Sequence, residues 1–239
     1  MAGINQNEVA AQPALLEVIV CSVADAAAAE AGGADRLELI SHFEVGGLTP
    51  SLELLREIIA AVHIPVRAML RESENFQVDD ETERRRLCEL AAAFNALPID
   101  GLVCGFLKNG GIDHALLARV LSCAPKLKAT FHRAIEELSD PLTAISELKK
   151  HPQVDRILTS GGPGDREQKI ACLKLCEQAA QPEITILAGG GMTADLIREL
   201  RTKTAIREYH VGTFVRVPVA VDGAVSAEKV ISVRKSLAQ

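Results

Sequence analysis

Tryptophan is absent from this chain of 239 residues, and there is one tyrosine. Aromatic platforms on which nucleobases stack are therefore missing. A positive balance is missing too: the formal net charge of −6 gives no electrostatic footprint for nucleic acid. No apolar run reaches the roughly 20 residues of a membrane span, so no membrane partner is expected. The first residues lack a basic segment followed by an apolar one, so no secretory signal is expected either. Six cysteines without such a signal read as reduced thiols in a cytoplasmic protein. Neither a CxxC pair nor a metalloprotease-type helix occurs. Cys172 and Cys176, four apart, read as one helix face in the core.

What the chain does contain is one unit repeated: a short strand, a helix, then another strand. Strands are expected near 15–20, 36–40, 65–70, 101–106, 126–132, 155–159, 184–188 and 206–211. Helices are expected between them, near 23–31, 51–62, 80–95, 113–122, 140–149, 165–179 and 193–202, with a last one over 224–237. Thr49-Pro50-Ser51 and Asp140-Pro141 are helix starts, the second with proline at the first helical position. Helices between all strands imply parallel pairing. Eight units in about 225 residues match a closed (β/α)8 barrel. The expected organisation is a loose tail over 1–13 and a single α/β domain, a TIM barrel with a C-terminal helix, over 14–239.

Polar residues recur in those strands in one phase. In Leu16-Glu17-Val18-Ile19-Val20, Glu17 and Ile19 share a face; in Arg36-Leu37-Glu38-Leu39, the charged pair alternates with leucines. Arg67 and Arg71 share a phase, as do the polar residues of Lys128-Ala129-Thr130-Phe131-His132 and Glu208-Tyr209-His210-Val211. Successive side chains alternate faces, and helices cover the apolar face. The charged phase must then line the barrel interior. An open doubly wound sheet would bury both faces and make its central strands apolar throughout. Burying unpaired charge costs several kcal/mol, so the interior is either a balanced network or a site.

Barrel chemistry sits at the C-terminal strand ends. Those positions hold Cys21, Arg71, His132-Arg133, Ser160-Gly161-Gly162, Gly189-Gly190-Gly191 and His210. Two of the turns are glycine-rich and feed helices. Bare N–H groups there attract anions, whereas the plain alternative is a turn that needs positive φ. With Arg36, Arg71 and Arg133, the residues Ser160, Gly161, Gly189, Gly190 and Gly191 form the candidate pocket for a small phosphate or carboxylate ligand. His132 and His210 end strands, and Glu17 and Glu38 lie deeper in the same phase. Carboxylates that orient an imidazole tune it for proton transfer, so these four are the candidate catalytic residues.

The residues now on the page resemble the CutC copper-homeostasis family. The resemblance rests on Leu16-Glu17-Val18, Gly32-Gly33-Ala34-Asp35-Arg36-Leu37-Glu38-Leu39 and Gly46-Gly47-Leu48-Thr49-Pro50-Ser51, then on Thr130-Phe131-His132-Arg133-Ala134, Leu158-Thr159-Ser160-Gly161, Gly189-Gly190-Gly191 and Glu208-Tyr209-His210. It implies a single-domain (β/α)8 barrel in the cytoplasm with a role in copper trafficking or tolerance, with copper as the ligand. It also implies a polar mouth built by Glu17, Arg36, Glu38, Arg71, His132 and His210. Family members proposed to bind Cu(I) carry cysteines where this chain has Ile19 and Ile40, which leaves Cys21 as the one candidate metal ligand nearby. The family's second arginine after strand three is replaced within Arg71-Glu72-Ser73, and the nearest arginine after His210 is Arg216. Three functions stay open: a Cu(I) binder, a barrel enzyme using acid–base chemistry on a small anionic metabolite, or a structural or regulatory barrel whose site has decayed. A homo-oligomer, dimer or tetramer, is expected.

Overall fold

A computed structural model describes residues 14–237, so the expected tail over 1–13 lies outside the described residues. Eight parallel strands close into a barrel. They are β1 (Leu15–Val20), β2 (Arg36–Leu39), β3 (Val66–Met69), β4 (Gly101–Cys104), β5 (Lys128–Phe131), β6 (Val154–Thr159), β7 (Thr185–Ala188) and β8 (Glu208–Val211). Each neighbours the next, and β8 closes on β1 with Glu17 opposite His210. Helices α1 (Val23–Ala31), α2 (Leu52–Ala61), α3 (Glu81–Asn95), α4 (His114–Cys123), α5 (Pro141–Leu148), α6 (Arg166–Ala180), α7 (Ala194–Lys203) and α8 (Ala227–Leu237) surround it.

Local chemistry explains the helix starts. Ser22, Ser51, Asp80, Asp113, Asp140, Asp165 and Thr193 each accept a backbone N–H in the first turn of α1 to α7. Pro141 occupies the first turn of α5. The outward strand residues, among them Leu16, Val18, Leu37, Leu39, Ala68, Leu102, Phe131 and Val211, are buried against these helices. Cys176 joins that core and Cys172 packs on it, as the i, i+4 spacing implied.

The inward phase divides by height. Toward the mouth, Ile19, Ile40, Met69 and Val103 form a separate apolar cluster, with Cys21 and Phe43 against it. Lower down the interior is ionic. Arg36 donates to Glu17 and, at 3.0 Å, to Glu208. Arg156 grips the same Glu208 at 2.6 and 2.9 Å and also meets Asp155. Arg67 holds Asp155 with two bonds of 2.7 and 2.8 Å, Asp100 at 2.7 Å and Thr130 at 2.8 Å. This continuous network runs across the β8–β1 closure.

Candidate functional site

A cavity of about 560 Å³ opens at the C-terminal strand ends, a size suited to a small metabolite. Glu38, His132 and His210 line it, together with Arg71, Arg133, Gly190 and Gly191. Ile19, Met69, Leu158 and Met192 give it apolar walls.

His210 ends β8 between two carboxylates. Its Nδ1 lies 2.7 Å from Glu17 and its Nε2 3.6 Å from Glu38. Burial pulls the imidazole's pKa down, but Glu38 and Glu17 outweigh it, so the net shift is upward. Glu17 moves the other way: burial raises it, while Arg36 and His210 hold it well below the usual carboxylate range. Glu38 is pushed up to about 7, first by burial and then by Glu17, against the pull of His210 and Arg36. These three groups titrate as a unit.

His132 is the opposite case. The Ala134 N–H donates to its Nδ1 at 3.3 Å, so the ring proton sits on Nε2. Burial, reinforced by the Arg71 charge, lowers this histidine to about 3, and it is neutral at physiological pH. Phe76 covers it at 4.9 Å between ring centroids, and the Arg71 guanidinium lies 4.5 Å over that ring. His132 Nε2 and Glu38 Oε1 are both buried, and neither has a hydrogen-bond partner among the described residues.

The candidate binding residues separate into three groups. Arg36 stays below the cavity, with its guanidinium engaged by Glu17 and Glu208, and Glu38 faces His210 rather than Arg36. Arg71 lines the cavity but donates to the carbonyls of Ser73, Val45, Gly47 and Glu74, tying two loops together. Among the described residues no carboxylate forms an ion pair with it, and burial lowers its pKa. Arg133, half exposed, grips Glu136 with Nε and Nη2.

Glu136 is the residue that sequence reasoning missed. Its Oε1 accepts from the Ser160 N–H at 2.6 Å and from the Thr159 hydroxyl at 3.1 Å. A carboxylate of the chain itself thus fills the turn after β6. The Gly161 N–H goes to Thr159 Oγ1 at 3.1 Å, and the Gly189 N–H to the Thr159 carbonyl at 2.9 Å. Gly161, Gly190 and Gly191 have φ near +80° to +86°, as tight turns require. Only Gly190 and Gly191 bring glycine backbone from these turns to the cavity. An acid three residues after Arg133 was the available signal, but it lies in a short 3-10 turn rather than in a strand.

Cys21 does not line the cavity. Its thiol lies 3.7 Å from Arg216 and is pushed up by burial. Arg216 itself is buried on Asp25 at 2.9 Å and on the Ile19 carbonyl at 3.2 Å, where it anchors the segment after β8.

The model of the CutC family matches residues 14–215. A CutC family protein of Aliivibrio fischeri is 36% identical over 199 residues, covering 82% of this chain and 80% of that one. The human copper homeostasis protein cutC homolog is 35% identical over 205 residues, covering 84% and 74%. A crystal structure of a copper homeostasis protein CutC from Streptococcus agalactiae superposes with a TM-score of 0.76 at 28% identity, covering 84% of this chain and 98% of that one.

Proposed function

The chain belongs to the CutC family, and from the geometry of its mouth we propose that it is an enzyme that moves a proton on a small anionic metabolite. One observation carries this reading. Two residues that line one cavity, Glu38 and His132, carry a buried carboxylate oxygen and a buried neutral imidazole nitrogen that have no protein partner among the described residues. Unpaired buried polar atoms are costly and gain their partners when a ligand enters. A carboxylate poised near neutrality is suited to exchange a proton, and the Arg71 charge offers attraction to an anion.

A Cu(I) carrier fits the residues less well. The donors that converge within 4.8 Å of one another are Glu17, Glu38 and His210, whereas Cu(I) selects soft thiolates. Both oxygens of Glu17 already accept, from Arg36 and His210. Ile19 and Ile40 are packed in the apolar cluster, and burial pushes the Cys21 thiol's pKa up, against the pull of Arg216. Six free thiols support a reducing, cytoplasmic setting.

Inorganic phosphate or sulfate should raise the melting temperature saturably, because a ligand of the folded state stabilises by mass action. Arg71→Gln, whose amide can still donate to the loop carbonyls, should remove most of that shift. Arg71→Ala is less informative, since it releases four loop carbonyls at once. Cu(I), titrated against a competing chelator, should bind weakly. Tight stoichiometric Cu(I) binding, or no saturable anion effect, would sink the proposal.

A further inference from the structure

The two unpartnered atoms differ in what they offer a ligand. His132 presents an N–H, fixed on Nε2 by the Ala134 N–H at Nδ1. Glu38 presents a bare oxygen: Oε2 faces the His210 ring at 3.6 Å, and Oε1 is the free one. A ligand that satisfies both carries an acceptor for His132 and a hydrogen for Glu38. Among the described residues the cavity lining contains no Ser, Cys, Lys or Tyr, and the hydroxyl of its one threonine, Thr213, has no hydrogen-bonded base to activate it, so a covalent route finds no activated hydroxyl, thiol or amine. What remains is removal of a proton from carbon, with the charge that develops on a neighbouring oxygen received by a hydrogen bond.

We propose that the substrate is a small carbonyl compound bearing an anionic group, and that the site enolises it. Glu38 takes the proton from the carbon next to the carbonyl, and the carbonyl oxygen sits on the His132 N–H. This rests on the acid–base reading above and narrows it to one reaction class. The electrons balance without a co-reactant. The C–H bond breaks and its proton goes to Glu38 Oε1. Its electron pair forms the C=C bond, and the carbonyl π pair moves onto oxygen. Return of the proton to the same carbon gives exchange. Where that carbon bears a hydroxyl, the O–H proton passes to the enolate oxygen, and return of the carbon proton to the former carbonyl carbon gives an isomer.

Each neighbour suits this chemistry. A neutral imidazole donates a hydrogen bond to the enolate oxygen without first surrendering its proton, and burial, reinforced by Arg71, keeps the ring neutral. Such a donor is worth about 10²–10³ in rate in a site closed to water. The His210 ring, held by Glu17 at 2.7 Å, steadies the far oxygen of Glu38. Ile19, Met69 and Leu158 give the reacting carbon an apolar surrounding.

The test is carbon-bound hydrogen exchange in D2O, followed by proton NMR on the full chain with pyruvate, 2-oxobutyrate and dihydroxyacetone phosphate as probes. At least one probe should lose its signal next to the carbonyl at a rate proportional to protein concentration. Glu38→Gln should cut that rate by about 100-fold or more while the probe still binds. Glu38→Asp keeps the charge beside His210 and should show a smaller loss, which covers a folding failure of the glutamine variant. His132→Gln, which retains an N–H donor, should exchange faster than His132→Leu. Saturable probe binding with exchange at the buffer rate overturns enolisation but leaves the anion-binding enzyme standing. So does phosphate binding without binding of any probe. Undiminished exchange in Glu38→Gln overturns the assignment of the base, and failure to bind phosphate and every probe overturns both proposals.

Discussion

Two histidines at the ends of β5 and β8 occupy equivalent places in the sequence pattern, and the fold shifts their pKa values in opposite directions. Strand phase put both at the mouth. It could not give the sign of the shift, because that depends on partners distant in sequence: Arg71 and Phe76 for His132, Glu17 and Glu38 for His210. Glu136 was illegible for a related reason, since its partners Thr159 and Ser160 belong to the next unit. The consequence for His132 can be measured. Its folded value of about 3 lies below the ordinary value of 6.5. As pH falls below 6.5 the unfolded chain takes a proton that the folded chain refuses, so stability is lost from 6.5 down to 3 and is complete above that window. His210, raised, acts in reverse: its contribution is present below 6.5 and lost as pH rises through the folded value. Urea midpoints at pH 7 and 4.5 should therefore show wild type losing roughly 2 kcal/mol more on acidification than His132→Gln. Equal losses in the two proteins would show that His132 is not held neutral.

At the scale of elements, the eight strands and eight helices followed from alternation and caps, because both are local: an aspartate or serine before an apolar periodic run completes a helix start unaided. The short pieces did not. The two-residue hairpin of Leu107–Lys108 with Gly111–Ile112 depends on Asn109 and Gly110 at positive φ, and Arg216–Val217 with Ala224–Val225 depends on Arg216 reaching Asp25. Strand-end glycines carry a constraint that sequence also hides. A Cβ on Gly105, just past β4, would stand 2.6 Å from His132 Nδ1 and 3.3 Å from the Ala134 methyl. Gly105 is thus needed for the close approach of the histidine. Gly105→Ala should push the ring from its place, cost about 1–3 kcal/mol through overpacking, and abolish probe exchange while the melt stays cooperative. Full exchange activity in this variant would show that the position of His132 is not critical.

For the whole molecule, the polar strand phase predicted a charged interior, and the barrel closes around one. Its full membership was not legible. Asp155 and Arg156 are consecutive, so strict alternation would send one outward, yet both join the network beside a register shift between Ala129 and Thr130. Asp100 joins it from the turn before β4. The chain of contacts links β1, β2, β3, β6 and β8, so it bridges the seam where the last strand meets the first. Arg36 sits where it matters most, since it joins Glu17, the partner of His210, to Glu208 on the closing strand. Replacing it with methionine fills similar volume but leaves buried Glu17 without its arginine, while Glu208 keeps Arg156, and removing one partner of a buried pair costs about 3–5 kcal/mol. Arg36→Met should lower the unfolding free energy from urea denaturation by that amount, and with it the midpoint, in a single transition. The second change in Arg36→Met/Glu17→Gln should cost less than Glu17→Gln alone, because contacting groups are not additive. An unchanged midpoint for Arg36→Met, or strict additivity in the pair, would mean that the ionic interior is not what holds the barrel closed.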